Sequence, residues 1–454
     1  MRRALLPAAA FAAMLCLPGA AHAKWDPVTT PGASNTDEVS LLRTPDNRLH
    51  VAWRRQPDAT SYELNHTVIA PDGAVGAAQV IASGWAGIGS PALMRTAAGQ
   101  LELVAAAQHS IDAGDPIQNV AHFTSFDGGG SWVLTPSDVA TGAGFADPMS
   151  ALAGTDGATP FFAWATSSGL FVHRGTDAAV PAANLQGASC CAYEPTLAVD
   201  ASAGRLGVAW YSNATGQNGV WAQAVDPATG APAGPAARMP GTAASVPPDQ
   251  RIAFTGRGAQ PGLFAAYSGG GPAASKVLVW TVGGGTATLA RSASAVREPA
   301  LTVTPEGRLW VTWAAGKHVY ARRSNLTATK WGATTQVAVR AGTGTVYKLA
   351  ADAQSQVLDV LAGFEPTGAN GVQTWHDQLR PGLTLEVSAG PIHNHFRTVK
   401  LRVTDAGDPV AGAHVTVGGQ HATTGTSGRA TITVPAGHSL AATATKAGYV
   451  RATS

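Results

Sequence analysis

The sequence predicts an all-β protein: a seven-bladed β-propeller, with six blades as the alternative, followed by a small β-sandwich. Three observations predict it. The 454 residues include 53 Gly and 29 Pro and only 13% charged residues, a composition suited to short strands joined by tight turns. One pattern recurs at intervals of about 50 residues, the length of a four-stranded blade. One sharp hairpin signature, SFDGGGSW at 125–132, carries an aspartate that can bond its own turn, glycines that admit positive φ, and a tryptophan to anchor the returning strand.

The chain opens with Met1-Arg2-Arg3, an apolar run to Leu17 and the small-residue sequence Ala21-His22-Ala23. A basic start, a short apolar core and an Ala-x-Ala site read as a bacterial Sec-type signal peptide over 1–23, with a mature chain from Lys24. The expected destination is the cell surface, the periplasm or the medium. Leu15 precedes Cys16, where a lipidation site would want a small residue. The apolar run is too short to span a bilayer, and no later segment qualifies.

Residues 24–381 hold the repeats. Copies occupy 38–53, 90–105, 147–164, 194–210, 250–267 and 298–313, with a weaker seventh at 347–362. Each starts on a polar residue, often followed by Pro, runs through apolar residues into a Gly- or Asn-containing turn, and returns as an alternating strand. This is the pattern of a blade's inner hairpin. Trp53, Trp164, Trp210, Tyr267 and Trp313 recur at the end of the copies, where packing between blades accounts for them. The off-pattern Trp85, Trp221, Trp280 and Trp375 are the candidates for stacking on a sugar. A second hairpin, SNLTATKW at 324–331, keeps the serine and tryptophan spacing but has Leu326 where the aspartate stood. After Arg380-Pro381-Gly382 the pattern changes to short alternating strands over 382–454, the predicted sandwich.

In a propeller the start of each innermost strand faces the central channel. Alignment of the copies puts Glu38, Ser90, Asp147, Glu194, Gln250, Glu298 and Tyr347 at that position, with Tyr193, Arg251, Arg297 and Lys348 beside them. A ring of Glu38, Asp147, Glu194, Arg251, Arg297, Glu298, Tyr347 and Lys348 can bind a polar ligand such as a sugar, or hold a hard cation such as Ca²⁺. The structural alternative is that the carboxylates cap backbone N–H groups as the chain enters each strand. No other cofactor is expected.

Cys190 and Cys191 are the only cysteines after the leader and lie just before the fourth copy. An oxidising compartment favours a vicinal disulfide, with unlinked thiols, metal ligation or intermolecular linkage as alternatives. His393-Asn394-His395 would present two imidazoles on one face of a strand. Two ligands make an incomplete metal site, so exposed histidines are expected. A net charge of +2 gives no basic stripe for nucleic acid.

SFDGGGSW, through Ser125, Asp127, Gly129, Ser131 and Trp132, resembles the Asp-box of sialidase-like (BNR-repeat) propellers. In that family the box is a staple of the outer hairpin rather than a site. Asp405, Pro409, Gly412, Gly428, Gly437 and Tyr449 lie in stretches that resemble carboxypeptidase-regulatory-like and bacterial Ig-like modules. A sialidase would imply three arginines clamping a carboxylate, a tyrosine nucleophile and an activating glutamate. The nearest matches are Arg251 and Arg297, Tyr193 or Tyr347, and Glu194 or Glu298. The family's N-terminal Arg-Ile-Pro has no counterpart. The leading expectation is a non-catalytic binding or adhesion protein engaging a glycan or an extracellular protein, and the alternative is a sialidase-type exo-glycoside hydrolase.

Overall fold

The computed structural model describes residues 25–29, 39–108, 120–135, 149–166, 169–175, 183–185, 192–242, 252–270, 273–340, 343–355, 357–366 and 371–454. These form an almost entirely β structure. Up to residue 379 they build seven four-stranded antiparallel sheets. The innermost strands are Val39–Arg43, Ala92–Arg95, Ser150–Ala153, Ala192–Asp200, Ala253–Gly256, Val296–Val303 and Thr343–Asp352. Each packs against the innermost strands of the sheets before and after it, and the last packs against the first. Sheets stacked face to face in a closed circle constitute a β-propeller.

Six sheets are simple meanders running outward from the channel. The seventh takes its outermost strand from the other end of the chain: Asp26–Pro27 pairs with Gln373–Leu379, with Asp26 opposite His376 and Pro27 opposite Trp375. Trp25 secures this seam. Its indole N–H donates to the Ala338 carbonyl at 2.8 Å, and its ring meets Phe364 edge-on at 5.1 Å. On the same seam Arg43 donates to Asp352 and Asp359, both at 2.5 Å, and Asp359 also accepts from His376 and Gln378.

The repeat aromatics Trp53, Trp164, Trp210, Tyr267 and Trp313 are all at most 2% exposed, as blade packing requires. Three of the off-pattern tryptophans correct their expectation: Trp85, Trp280 and Trp375 are buried too, so they pack the core and offer no face to a sugar. Only Trp221 is partly open, stacked on Trp210.

Beyond the ring, Thr384–His393, Phe396–Asp405, Asp408–Pro409 and Arg429–Pro435 form one sheet, and Gln420–Thr423, His414–Val417, Ala442–Thr445 and Ala452–Thr453 another. A shared core that includes Val399, Leu401, Val415 and Val434 fills the space between them. His393 ends a strand, whereas Asn394 and His395 form the following turn with φ of 48° and 65°. The strand geometry assumed for the histidine pair therefore does not hold. This C-terminal unit docks on the sixth blade. Arg308 reaches Asp408 at 2.7 Å, and Arg323 pairs with Asp405 and donates to the Tyr449 hydroxyl at 3.1 Å.

Candidate functional site

The turn at 125–132 is closed by its own side chains. The Asp127 carboxylate accepts the Ser131 amide at 2.9 Å, the Ser131 hydroxyl at 2.7 Å and the Ser125 hydroxyl at 2.9 Å, while Ser125 Oγ accepts the Gly129 amide at 2.8 Å. These bonds, the Ser131 hydroxyl first, hold the Asp127 carboxyl down at about 2. The three bonds Asp127 accepts all come from its own turn, which makes it a turn staple. Gly129, at φ 91°, lets the loop lie on two buried histidines, and a Cβ there would come within 2.8 Å of His66. His50 Nδ1 and His66 Nε2 share one hydrogen bond at 3.0 Å, and burial pushes both imidazoles down, to about 4 and about 3.

At 324–331 Asn325, and not the residue at the aspartate position, holds the turn. Its carbonyl accepts the Thr329 and Lys330 amides at 2.9 and 3.0 Å. The Leu326 amide is left to donate to Asp408 of the C-terminal unit at 3.0 Å.

The channel contains a cavity of about 280 Å³ lined by all seven innermost strands. Most of its described lining residues are apolar, but polar groups make up at least as much of the wall surface, and the lining includes Ser40, Ser150, Thr196, Thr374 and two charged residues, Glu298 and Lys348. Two of the serines also stitch blades together: Ser40 Oγ accepts the Leu93 amide at 2.8 Å and Ser150 Oγ the Leu197 amide at 3.0 Å.

Cross-strand pairing fixes the true alignment of the copies. Ser40, Ala92, Ser150, Thr196, Ala253, Ala300 and Ala350 lie opposite Ala52, Val104, Ala163, Ala209, Ala266, Thr312 and Leu361. Two residues earlier in sequence stand Glu38, Ser90, Pro148, Glu194, Arg251, Glu298 and Lys348. Asp147, Gln250 and Tyr347 are therefore one residue out of register, because the inner hairpins differ in turn length. The ring read as acid-rich has three acids, two bases and two uncharged residues. Glu38, Asp147, Pro148, Cys190, Cys191, Gln250 and Arg251 themselves lie outside the described residues.

Glu194 and Glu298 occupy matching irregularities. The pairing of their strands slips between Tyr193 and Thr196 and between Arg297 and Ala300, so each Glu-Pro step forms a bulge facing one tryptophan. The bulge admits a proline without losing a ladder bond. It holds Glu194 at φ 52° and Glu298 at φ 48°, a conformation that costs a non-glycine residue on the order of 1–2 kcal/mol. Glu298 lines the cavity, and in blade four Thr196 does so. Tyr193, Arg297 and Tyr347 each precede the ring residue and are exposed around it. Among the described residues the cavity lining holds Glu298 but no arginine and no tyrosine.

The chain matches no protein-family profile and no curated protein. Solved structures are similar at low scores. A fungal alcohol oxidase of the AA5 family, in complex with copper, aligns at 12% identity with a TM-score of 0.44, over 94% of this chain and 98% of that one. Virginiamycin B lyase from Staphylococcus aureus aligns at 10% and 0.43, over 79% and 99%. The Dos1 propeller aligns at 7% and 0.45, over 78% and 95%. Likeness at this level carries no argument about chemistry, and the fold rests on the sheet order and ring closure described above.

Proposed function

We propose that this chain is an exported, non-catalytic binding or adhesion protein that engages a glycan or protein ligand at the mouth of its channel. In this reading the ring is a seven-bladed propeller of sialidase-like type over 24–381, and 382–454 is an Ig-like module. The leader at 1–23 directs export, and Cys190 and Cys191 form a vicinal disulfide beside the mouth. The observation that carries the proposal is the cavity. A concave space lined by all seven innermost strands, its wall shared between apolar side chains and polar groups and its described lining carrying one charge of each sign, has the chemistry of a polar-ligand pocket. The Asp-box turn supports the sialidase-like type. Ca²⁺ is the less favoured occupant, because the Lys348 ammonium shares the cavity with Glu298.

Binding to the native state raises its melting temperature, so a thermal-shift screen of the mature protein against neutral and acidic monosaccharides and against Ca²⁺ tests the reading. A sugar-dependent rise that disappears in Lys348→Ala and Glu298→Gln is expected. A rise with Ca²⁺ alone, lost in Glu298→Gln, would replace the sugar by a cation. A rise with sialic acid lost in Arg297→Ala, with release of product, would replace binding by hydrolysis. No rise with any of them would remove the mouth as a small-ligand site.

A further inference from the structure

The face on which the innermost strands begin is not evenly charged. In blade five Lys276 and Arg291 are direct cross-strand partners, although like charges placed opposite each other destabilise a sheet. Local contacts tie this pair to the next blade. The Val296 amide donates to the Ala274 carbonyl at 2.7 Å, which sets Arg297 close by on the rim. Gly316 abuts Ser294 and leads into Lys317, whose carbonyl accepts the Val339 amide at 2.9 Å. Arg340 follows, its guanidinium 4.0 Å from the Trp375 ring centre, and Lys348 continues into the channel.

Six cations thus cover one sector, from the outer edge of blade five to the channel wall at blade seven. Arg291, Arg297, Lys317 and Arg340 are exposed. Lys276, Arg291, Arg297 and Lys317 have no ion-pair partner among the described residues. Glu298 is the sole acid among the described side chains of these segments. On blade one, by contrast, Arg55 is paired with Glu63 at 3.0 Å.

We propose that this sector binds a polyanionic glycan, a polyuronate chain, laid from the channel mouth out over blades five and six. The proposal deepens the mouth-binding reading and rests on it. Guanidinium forks match carboxylates two bonds at a time, and a concentration of cations in one sector attracts an anionic chain from a distance. The exposed rings of Tyr193 and Tyr347 at the inner end supply faces for sugar rings. The repulsive Lys276–Arg291 pair has a use when carboxylates lie over it.

The test measures binding of the mature protein to polygalacturonate and to its methyl ester, which keeps the sugars and removes the charge. The acid form is expected to bind at least tenfold more tightly, and to weaken about tenfold between about 0.05 and 0.5 M NaCl as screening grows. Lys276→Gln/Arg291→Gln/Lys317→Gln should lose at least tenfold in affinity for the acid form. In the same measurements Arg291→Thr alone should raise the melting temperature of the free protein while weakening binding, an opposition that a merely structural role does not produce. Equal binding of acid and ester, or an unchanged affinity in the triple variant, overturns the rim while leaving the mouth reading intact. Absence of binding by both, together with no shift for any monosaccharide, overturns the two together. Equal affinity for single-stranded DNA or for anionic vesicles overturns the glycan assignment.

Discussion

His50 and His66 are among the least forgiving residues of the ring. Neutral, they share one hydrogen bond under the Asp-box turn; charged, they would repel each other in a buried site. Because burial lowers their folded values to about 4 and about 3, below the usual 6.5, the unfolded chain takes up these protons first as pH falls. Their contribution is therefore complete above about pH 6.5 and is lost progressively as pH drops through 4 toward 3. Urea midpoints measured across that window should fall in the wild type and stay flatter in His50→Leu/His66→Leu, whatever constant stability the double variant loses. Equal slopes would mean that the pair is protonated without penalty.

The hairpin at 324–331 shows how one element can serve both its own turn and a neighbour. Asn325 replaces the aspartate as the acceptor of backbone amides, which leaves the Leu326 amide pointing outward to Asp408. Asn325→Ala should cost roughly 1–2 kcal/mol in urea unfolding, and Asn325→Asp should retain most of that stability because a carboxylate accepts the same two amides. A neutral alanine variant would show that the docked C-terminal unit, and not Asn325, holds the turn. Much at this scale is legible in the sequence: the repeat period, the Asp-box and the terminal tryptophans of the inner hairpins all follow from turn chemistry and alternation. The Glu-Pro bulges were legible in principle, since a proline inside a strand pattern signals one. Lys348 was misplaced beside the ring because turn length varies between copies, so spacing alone drifts by a residue. The basic sector was not legible at all, because Lys276, Arg291, Lys317 and Arg340 are spread over positions 276 to 340 of the sequence and only strand pairing brings them together.

For the whole molecule the seam between the first and last sheets of the ring is where a charged cluster is buried. Arg43, Asp352 and Asp359 are buried, and their balance is unequal. Burial pushes the Asp352 carboxyl up despite Arg43. Burial would raise Asp359 as well, but bonds from His376 and Gln378 and the charge of Arg43 outweigh it and hold that carboxyl low. Arg43→Ala would leave two carboxylates without their cation and should cost about 3–5 kcal/mol, read as a lower urea midpoint with an unchanged slope. A loss under about 1 kcal/mol would show that the two acids simply take up protons.

That same seam also sets an order of events in time. Residues 26 and 376 are partners in one sheet, so the strand at 26–27 must wait for the last sheet of the ring. Loop-closure entropy has to be overcome across nearly the whole ring before this pairing returns any free energy. Six of the four-stranded sheets can assemble from neighbours in sequence, whereas the one that takes in Asp26–Pro27 can only be finished at the end. Until it is, Gln373–Leu379 is an open sheet edge, the kind of edge on which another chain can add a strand.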